Sequence, residues 1–237
     1  MSGVRIAAAQ SVSQAADLLA NLTTHCRFIE TASAADVDIL VFPELSLSGY
    51  EPKYVKDLAL GPTDKRLDPI RELLCSRSMT VVVGAPVSSD ADKPYIGAIC
   101  FFPDGRSVVY RKQYLHPGEE AFSLAICADI THEAHARVAA DSGASMYLAG
   151  VFITPGGYEV DASLVRGYAE SHGFAVLMAN HGGPSGGISS AGKSAIWAPG
   201  GNLLAAAPEA GNWLVIAAKK TEGWSGEVLA LDESLVV

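Results

Sequence analysis

Charge is scarce in this sequence: Asp, Glu, Lys and Arg make up 18% of its 237 residues, and no basic run occurs anywhere. With 17 Lys and Arg against 26 Asp and Glu, the formal charge is −9. That balance argues against a nucleic-acid scaffold, because phosphate binding needs clustered cations. Long apolar runs are missing as well. The longest nearly uncharged stretch, Ala144–Thr154, is far short of the ~20 residues of a membrane span and reads as a buried strand. The opening MSGVRIAAAQ has one arginine and then moves directly into strand-like sequence. It lacks the basic-then-apolar layout of a secretory leader, so a cytoplasmic protein without membrane or nucleic-acid partners is expected. Cysteine is sparse too: Cys26, Cys75, Cys100 and Cys127 are scattered without a CxxC pair. They read as reduced thiols rather than a disulfide framework. What is abundant is apolar bulk, at 49% of residues, too much for a disordered chain.

The apolar residues are arranged in short, distinct blocks. Val4–Ala9, Val37–Phe42 and Thr80–Pro86 read as buried strands, and so do Ser145–Phe152, Phe174–Met178 and Trp213–Ala218. Between them, Leu18, Leu19, Leu22, Cys26 and Ile29 recur at helical spacing within Ala15–Ala32. Further helices are predicted over Asp64–Ser76, His132–Ser142 and Ala162–Ser171. Tyr95–Phe102 and Ser107–Tyr110 flank Pro103-Asp104-Gly105, a hairpin turn signal, and a second hairpin turns about Pro199-Gly200-Gly201. β-helix-β units mixed with hairpins predict sheets covered by helices on their outer faces, in one domain over residues 1–237. Two stacked sheets, each with an outer helical layer, would account for the number of strands.

Three residues stand where chemistry is commonly placed. Glu44 directly follows the strand Val37–Phe42, and catalytic groups often occupy the carboxyl ends of strands in α/β sheets. Lys112 follows the second strand of a hairpin, with Glu119 and Glu120 beyond a Pro-Gly turn. Cys127 stands in SLAICADI, where a strand turns toward a helix; nearby helix-terminal N–H groups lower a thiol pKa and stabilise an oxyanion. Singly, each has an ordinary explanation: a solvated loop carboxylate, a surface lysine and an inert core thiol.

Together the three motifs, in this order, resemble the nitrilase superfamily of carbon–nitrogen hydrolases. The residues that carry the likeness are Phe42-Pro43-Glu44-Leu45 with Gly49-Tyr50, then Tyr110-Arg111-Lys112 with Leu115, Pro117, Gly118 and Glu120, then Ala125-Ile126-Cys127-Ala128-Asp129. The resemblance implies a four-layer αββα sandwich, no metal or organic cofactor, and a homodimer or higher homo-oligomer. It implies that Cys127 is the nucleophile, Glu44 the general base and Lys112 an oxyanion partner, helped by the backbone N–H of Ala128. It places a second glutamate at Glu120, with Glu119 the alternative, and puts Tyr50 and Asn180 beside the substrate. The implied substrate is a small non-peptide amide or N-carbamoyl compound; a nitrilase, an acyltransferase or a non-catalytic scaffold relative is the alternative.

Two departures from the family pattern stand out. Lys112 and Cys127 are only 15 residues apart, where the family has a longer segment with a further strand. Either that segment is deleted or a loop is missing from the recorded sequence. After the cysteine, His132-Glu133-Ala134-His135 replaces the usual continuation. Its histidines are three apart, not the four of a zinc protease, and no third ligand is evident, so both are expected to be solvated helix residues. The glycine-rich stretch Asn180–Gly187 lacks P-loop spacing and reads as either a pocket-lining loop or a flexible connection, while Trp197 and Trp213 are expected to be core aromatics.

Overall fold

Successive residues of a strand face opposite sides, and here both sides are covered, which is why the strands read as unbroken apolar blocks. The computed structural model describes residues 3–89, 93–111 and 122–231. The first half of the chain forms β1 (Arg5–Gln10), α1 (Leu18–Ala34), β2 (Ile39–Val41), α2 (Asp68–Leu74), β3 (Thr80–Val87), β4 (Tyr95–Phe101) and β5 (Ser107–Arg111). The second forms β6 (Phe122–Ile126), α3 (Glu133–Asp141), β7 (Met146–Val151), α4 (Tyr158–His172), β8 (Ala175–Asn180), β9 (Ala195–Trp197) and β10 (Leu203–Ala206). Each half thus has the order β-α-β-α-β-β-β. A closing hairpin, β11 (Trp213–Lys220) and β12 (Gly223–Ala230), returns to the first half.

The first half and the hairpin make a seven-stranded sheet, β12-β11-β1-β2-β3-β4-β5, and the second half a five-stranded sheet, β10-β9-β8-β7-β6. β1, β2 and β3 are parallel, as are β6, β7 and β8. Between the sheets, Ile6, Ala8, Val41 and Val82 share a core with Leu124, Ile126, Leu148 and Leu177. The alternate residues Ala7, Ala9, Leu40 and Val81 pack with Phe28, Ile29, Ile70 and Leu74 of α1 and α2. On the far side, Tyr147, Ala149, Val176 and Met178 pack with Ala136, Ala139, Val165 and Tyr168 of α3 and α4. The expected αββα sandwich is the fold.

The boundaries differ from the sequence reading for local reasons. Asp17 caps α1 by accepting from Ala20 N at 3.0 Å. The inward stripe of this helix is Leu22, His25, Phe28, Ile29 and Ala32, whereas Leu19 is 75% exposed. The second strand stops at Val41 because Phe42 already belongs to the loop that carries Glu44. β12 escaped prediction because it is an edge strand, most of whose residues face out.

That loop, from Phe42 to Leu47, runs past β3 and β7. Phe42 N–H donates to Val82 O at 2.9 Å and Leu47 N–H to Gly84 O at 3.0 Å. The approach requires glycine on both strands. A Cβ at Gly84 would stand 2.1 Å from Pro43 O, and one at Gly150 would stand 2.7 Å from Phe42 O. Two buried histidines bracket the loop. From α1, the His25 ring stacks on Phe42 at 4.0 Å and is hydrogen-bonded to Ser46 Oγ at 2.9 Å. From the end of β8, His181 Nε2 donates to Glu44 O at 2.6 Å. Burial holds both imidazoles down at about 4, against hydrogen bonds to backbone carbonyls that favour the charged form.

Two outcomes follow from this packing. Gly84→Ala should cost about 1–3 kcal/mol by overpacking, read from denaturant midpoints, whereas Gly61→Ala, with nothing within 4 Å of its Cβ, should change little. The histidines set a pH dependence. An unfolded histidine takes up its proton near 6.5 and the folded ones only near 4, so stability should fall as pH drops from about 6.5 to about 4. The slope is up to about 1.4 kcal/mol per pH unit for each ring. Urea midpoints across that window should show it, and His25→Gln should flatten it by about half; a midpoint independent of pH would contradict the burial argument.

Candidate active site

The residues around Glu44 are held in an uncommon conformation. Glu44 is 6% exposed, and the next residue, Leu45, has φ +52°. For a leucine the left-handed region costs about 1–2 kcal/mol, so the surroundings must hold it. Gly49 N–H and Ser48 N–H donate to Leu45 O at 2.8 and 3.1 Å, and Ser46 N–H donates to Pro43 O at 3.2 Å. Ser13 Oγ donates to Ser46 O at 2.9 Å, tying the same turn to the segment after β1.

Cys127 stands at a second left-handed position. β6 ends at Ile126 in extended geometry, Cys127 has φ +45°, and a 3-10 turn runs from Cys127 to Thr131. This is the strand-to-helix elbow expected from the sequence. It is braced by the buried Asp129, whose Oδ2 accepts from Ile126 N at 3.0 Å, and by Tyr168 Oη, which donates to Ile130 O at 2.9 Å. Cys127 is half-buried and packs against the core between the sheets. The other thiols have different settings: burial pushes Cys100 up to about 12 and Cys26 up to about 11, the latter helped by Glu30, while Cys75 is exposed.

The Glu44 loop comes close to the end of β6, the strand that leads into the elbow. Gly150, whose absent side chain admits Phe42 O, pairs with Ile126 in the β6–β7 ladder. A small cavity there is lined by Glu44 and Gly84 on one side and by Leu124, Ile126 and Gly150 on the other. Its wall is apolar apart from the glutamate. Lys112, Glu119 and Glu120 lie outside the described residues, as does most of the short Lys112–Cys127 interval.

The remaining expected site residues take different places. Ala128 is exposed in the first turn after the cysteine. Tyr50 packs against Phe152 at 5.3 Å, and Phe152 packs edge-on against His181 at 5.0 Å, so Tyr50 borders the Glu44 side of the site. Asn180 is fully buried, and its amide is used up by backbone groups. Its Oδ1 accepts from Ile153 N and His181 N, and its Nδ2 donates to Ile153 O and Gly192 O. It clamps loops rather than facing a ligand. The glycine-rich loop is pinned rather than slack: Gly182 N–H donates to Ser11 O at 2.8 Å, and Ser185 Oγ accepts from Tyr50 N at 2.7 Å. Trp197 is in the core and Trp213 is partly buried.

The histidine pair of α3 divides. His132 is exposed, as expected, but His135 is half-buried and bonded at both ring nitrogens, which corrects the solvated reading. Tyr110 Oη donates to Leu124 O at 2.6 Å, so His135 Nε2 donates to Tyr110 Oη at 3.3 Å. Nδ1 then accepts from Tyr147 Oη at 2.9 Å. The bridge joins β5, which ends one residue before Lys112, to the strands behind the elbow. Among the described residues no group of three or more His, Cys, Asp or Glu is placed to hold a metal ion. Asp129 and His181 were visible in the sequence only as the second residue after the cysteine and as the neighbour of Asn180; neither position announced what it holds.

Comparison with known proteins bears on the fold and the family. In fold, the chain is similar to an amidase of Nesterenkonia sp. AN1, with TM-score 0.79 at 23% identity over 92% of this chain and 90% of that one. One structure of that amidase carries the acetamide moiety of fluoroacetamide added covalently at its active-site cysteine. In sequence, 107 residues are 34% identical to the omega-amidase of Bos taurus, covering 43% of this chain and 39% of that protein. A 95-residue stretch is 33% identical to the protein N-terminal amidase of Saccharomyces cerevisiae, covering 38% of this chain and 21% of that protein. The match thus spans well under half of either relative. The family pattern of the carbon-nitrogen hydrolases covers residues 5–224, nearly all of the described sandwich. On that coverage, and on the fold it shares, the chain belongs to the carbon-nitrogen hydrolase family.

Proposed function

We propose that this chain hydrolyses a small non-peptide amide or N-carbamoyl compound through a cysteine thioester. The observation that supports this most is the cavity that Glu44 lines together with Leu124, Ala125 and Ile126, the last residues of the strand before Cys127, with Leu45 and Cys127 both left-handed, in a chain of this family. In this reading Glu44 takes the thiol proton, and Cys127 Sγ bonds to the carbonyl carbon. The oxyanion of the tetrahedral adduct is met by Lys112 and the Ala128 N–H. Glu44 returns the proton to the nitrogen, the C–N bond breaks, and ammonia or amine leaves. Water, deprotonated by Glu44, then attacks the thioester, the acid departs and the proton returns to sulfur. Glu120, or Glu119, would position the lysine. Tyr50 and Phe152 would flank the acyl group, Asn180 acting only by holding the loops. No step calls for a metal or organic cofactor. A homodimeric, cytoplasmic enzyme is part of the same reading.

The test is ammonia release across a panel of amides, ureido acids and nitriles. Cys127→Ala should abolish turnover and Cys127→Ser nearly so, because a hydroxyl is far less acidic than a thiol. Glu44→Gln should cost about 10²–10⁴ in rate, and Lys112→Ala about 10²–10³. His132→Ala should stay near wild type, and EDTA should have no effect. Iodoacetamide should label Cys127 ahead of Cys26 and Cys100. Full turnover by Cys127→Ala would sink the thiol mechanism; a Cys127 inert to both substrate and reagent would favour the scaffold alternative.

A further inference from the structure

The strained turn that carries Glu44 depends on the orientation of the Glu44–Leu45 peptide. Rotating this peptide plane changes ψ of Glu44 and φ of Leu45 together and swings the Glu44 carbonyl to the opposite side. Leu45 at φ +52° is the sterically disfavoured partner in that exchange, so a flip would relieve the leucine and undo the path of the turn that carries Glu44. Something must grip the carbonyl. His181 does so from the other sheet, 137 residues away in the chain, with Nε2 at 2.6 Å from Glu44 O. A carbonyl can only accept, so Nε2 carries the proton and Nδ1 is left as an acceptor.

The donor itself is rigid. His181 is fully buried. Its own N–H is held by Asn180 Oδ1 at 3.0 Å, its carbonyl accepts from Ser190 Oγ at 2.6 Å, and its ring meets Phe152 edge-on at 5.0 Å. Nδ1 has no hydrogen-bond partner among the described residues, so a second ring proton would be buried without an acceptor.

We propose that His181 is a positioning residue for Glu44: its Nε2–H, donated to the Glu44 carbonyl, locks the Glu44–Leu45 peptide plane and so fixes the strained turn from which Glu44 serves the Cys127 thiol. The inference rests on the reading of Glu44 as general base.

The decisive variants differ in reach. In His181→Gln the side-chain amide nitrogen falls near the place of Nε2, whereas in His181→Asn it falls near Nδ1 and cannot span to the carbonyl. Both are polar and smaller than histidine, so either should be accommodated in the buried site. Three measurements are made on the full chain: kcat and KM on the best amide of the panel, the rate of Cys127 alkylation by iodoacetamide, and the melting temperature. The expected result is a kcat and an alkylation rate about 10- to 100-fold lower in His181→Asn, with KM within about threefold, and most of the loss restored in His181→Gln. Placed on Glu44→Gln, His181→Asn should lower the alkylation rate no further, because the group it positions is already gone. Equal rates in the Gln and Asn variants, or a loss that simply adds to that of Glu44→Gln, would overturn the positioning role whatever happens to the melting temperature. If Glu44→Gln alone keeps wild-type turnover and alkylation, it is the reading of Glu44 as base that fails.

Discussion

The passage of the Phe42–Leu47 backbone between β3 and β7 governs the arrangement around Glu44. Van der Waals contact at this distance leaves no room for even one methyl group on either strand, so Gly84 and Gly150 are both dictated by the loop rather than by the strands that contain them. Because Gly150 also pairs with Ile126, the same close approach sets the distance between the Glu44 loop and the strand that ends at Cys127. The Glu44 loop and the end of β6 are thus held together through backbone contacts, which are stiffer than side-chain contacts. The aromatic and imidazole rings around them fill the remaining space and hold the turn in place.

The two left-handed residues are a recurring device. Leu45 and Cys127 belong to different sheets, yet each is kept in a costly conformation by buried polar groups: Ser13, His25 and His181 around one, Asp129 and Tyr168 around the other. Such groups would be expensive to bury unless bonded, and here all but His25 are bonded to the main chain of the strained turns, His25 reaching the Ser46 hydroxyl instead. Local strain is therefore offset by satisfied hydrogen bonds nearby rather than by general hydrophobic burial. The layering accounts for how apolar the chain is: three stacked apolar cores leave few interior places for charge, and Glu44 is one of them.

The layers were legible in the sequence because they rest on local periodicity. Apolar blocks such as Thr80–Val87 and Met146–Val151, with helical spacing between blocks, contain the sandwich, and the three ordered motifs contain Glu44 and Cys127. What was not legible depends on partners distant in sequence. Gly84 reads as an ordinary member of TVVVGAP, and only the loop pressed against it explains the missing side chain. His181 reads as part of a glycine-rich stretch until Glu44 O is placed beside it. His135 looked solvated because a helix-surface pattern cannot show that Tyr110 and Tyr147 wait on neighbouring strands. Asn180, which the resemblance puts beside the substrate, spends its amide on backbone groups of the neighbouring loops, partners that its place in the sequence does not show. The edge strand β12 was lost because few of its residues, Trp224 and Val228 among them, pack inward, too few to read as an apolar block.

The closing hairpin bears on how the chain reaches this structure. β1 is flanked by β2 on one side and β11 on the other, and the β11 partners of Arg5–Gln10 are Ala218 back to Trp213. During synthesis, one of the first strands to emerge therefore has an open edge until nearly the whole chain is available. Pairings of such sequence separation form slowly, and an apolar strand with a free edge is prone to join another chain. The late return of β11 completes the central part of the larger sheet and covers that edge, and β12 becomes the border on that side, with Trp224 and Val228 turned in against the core between the sheets.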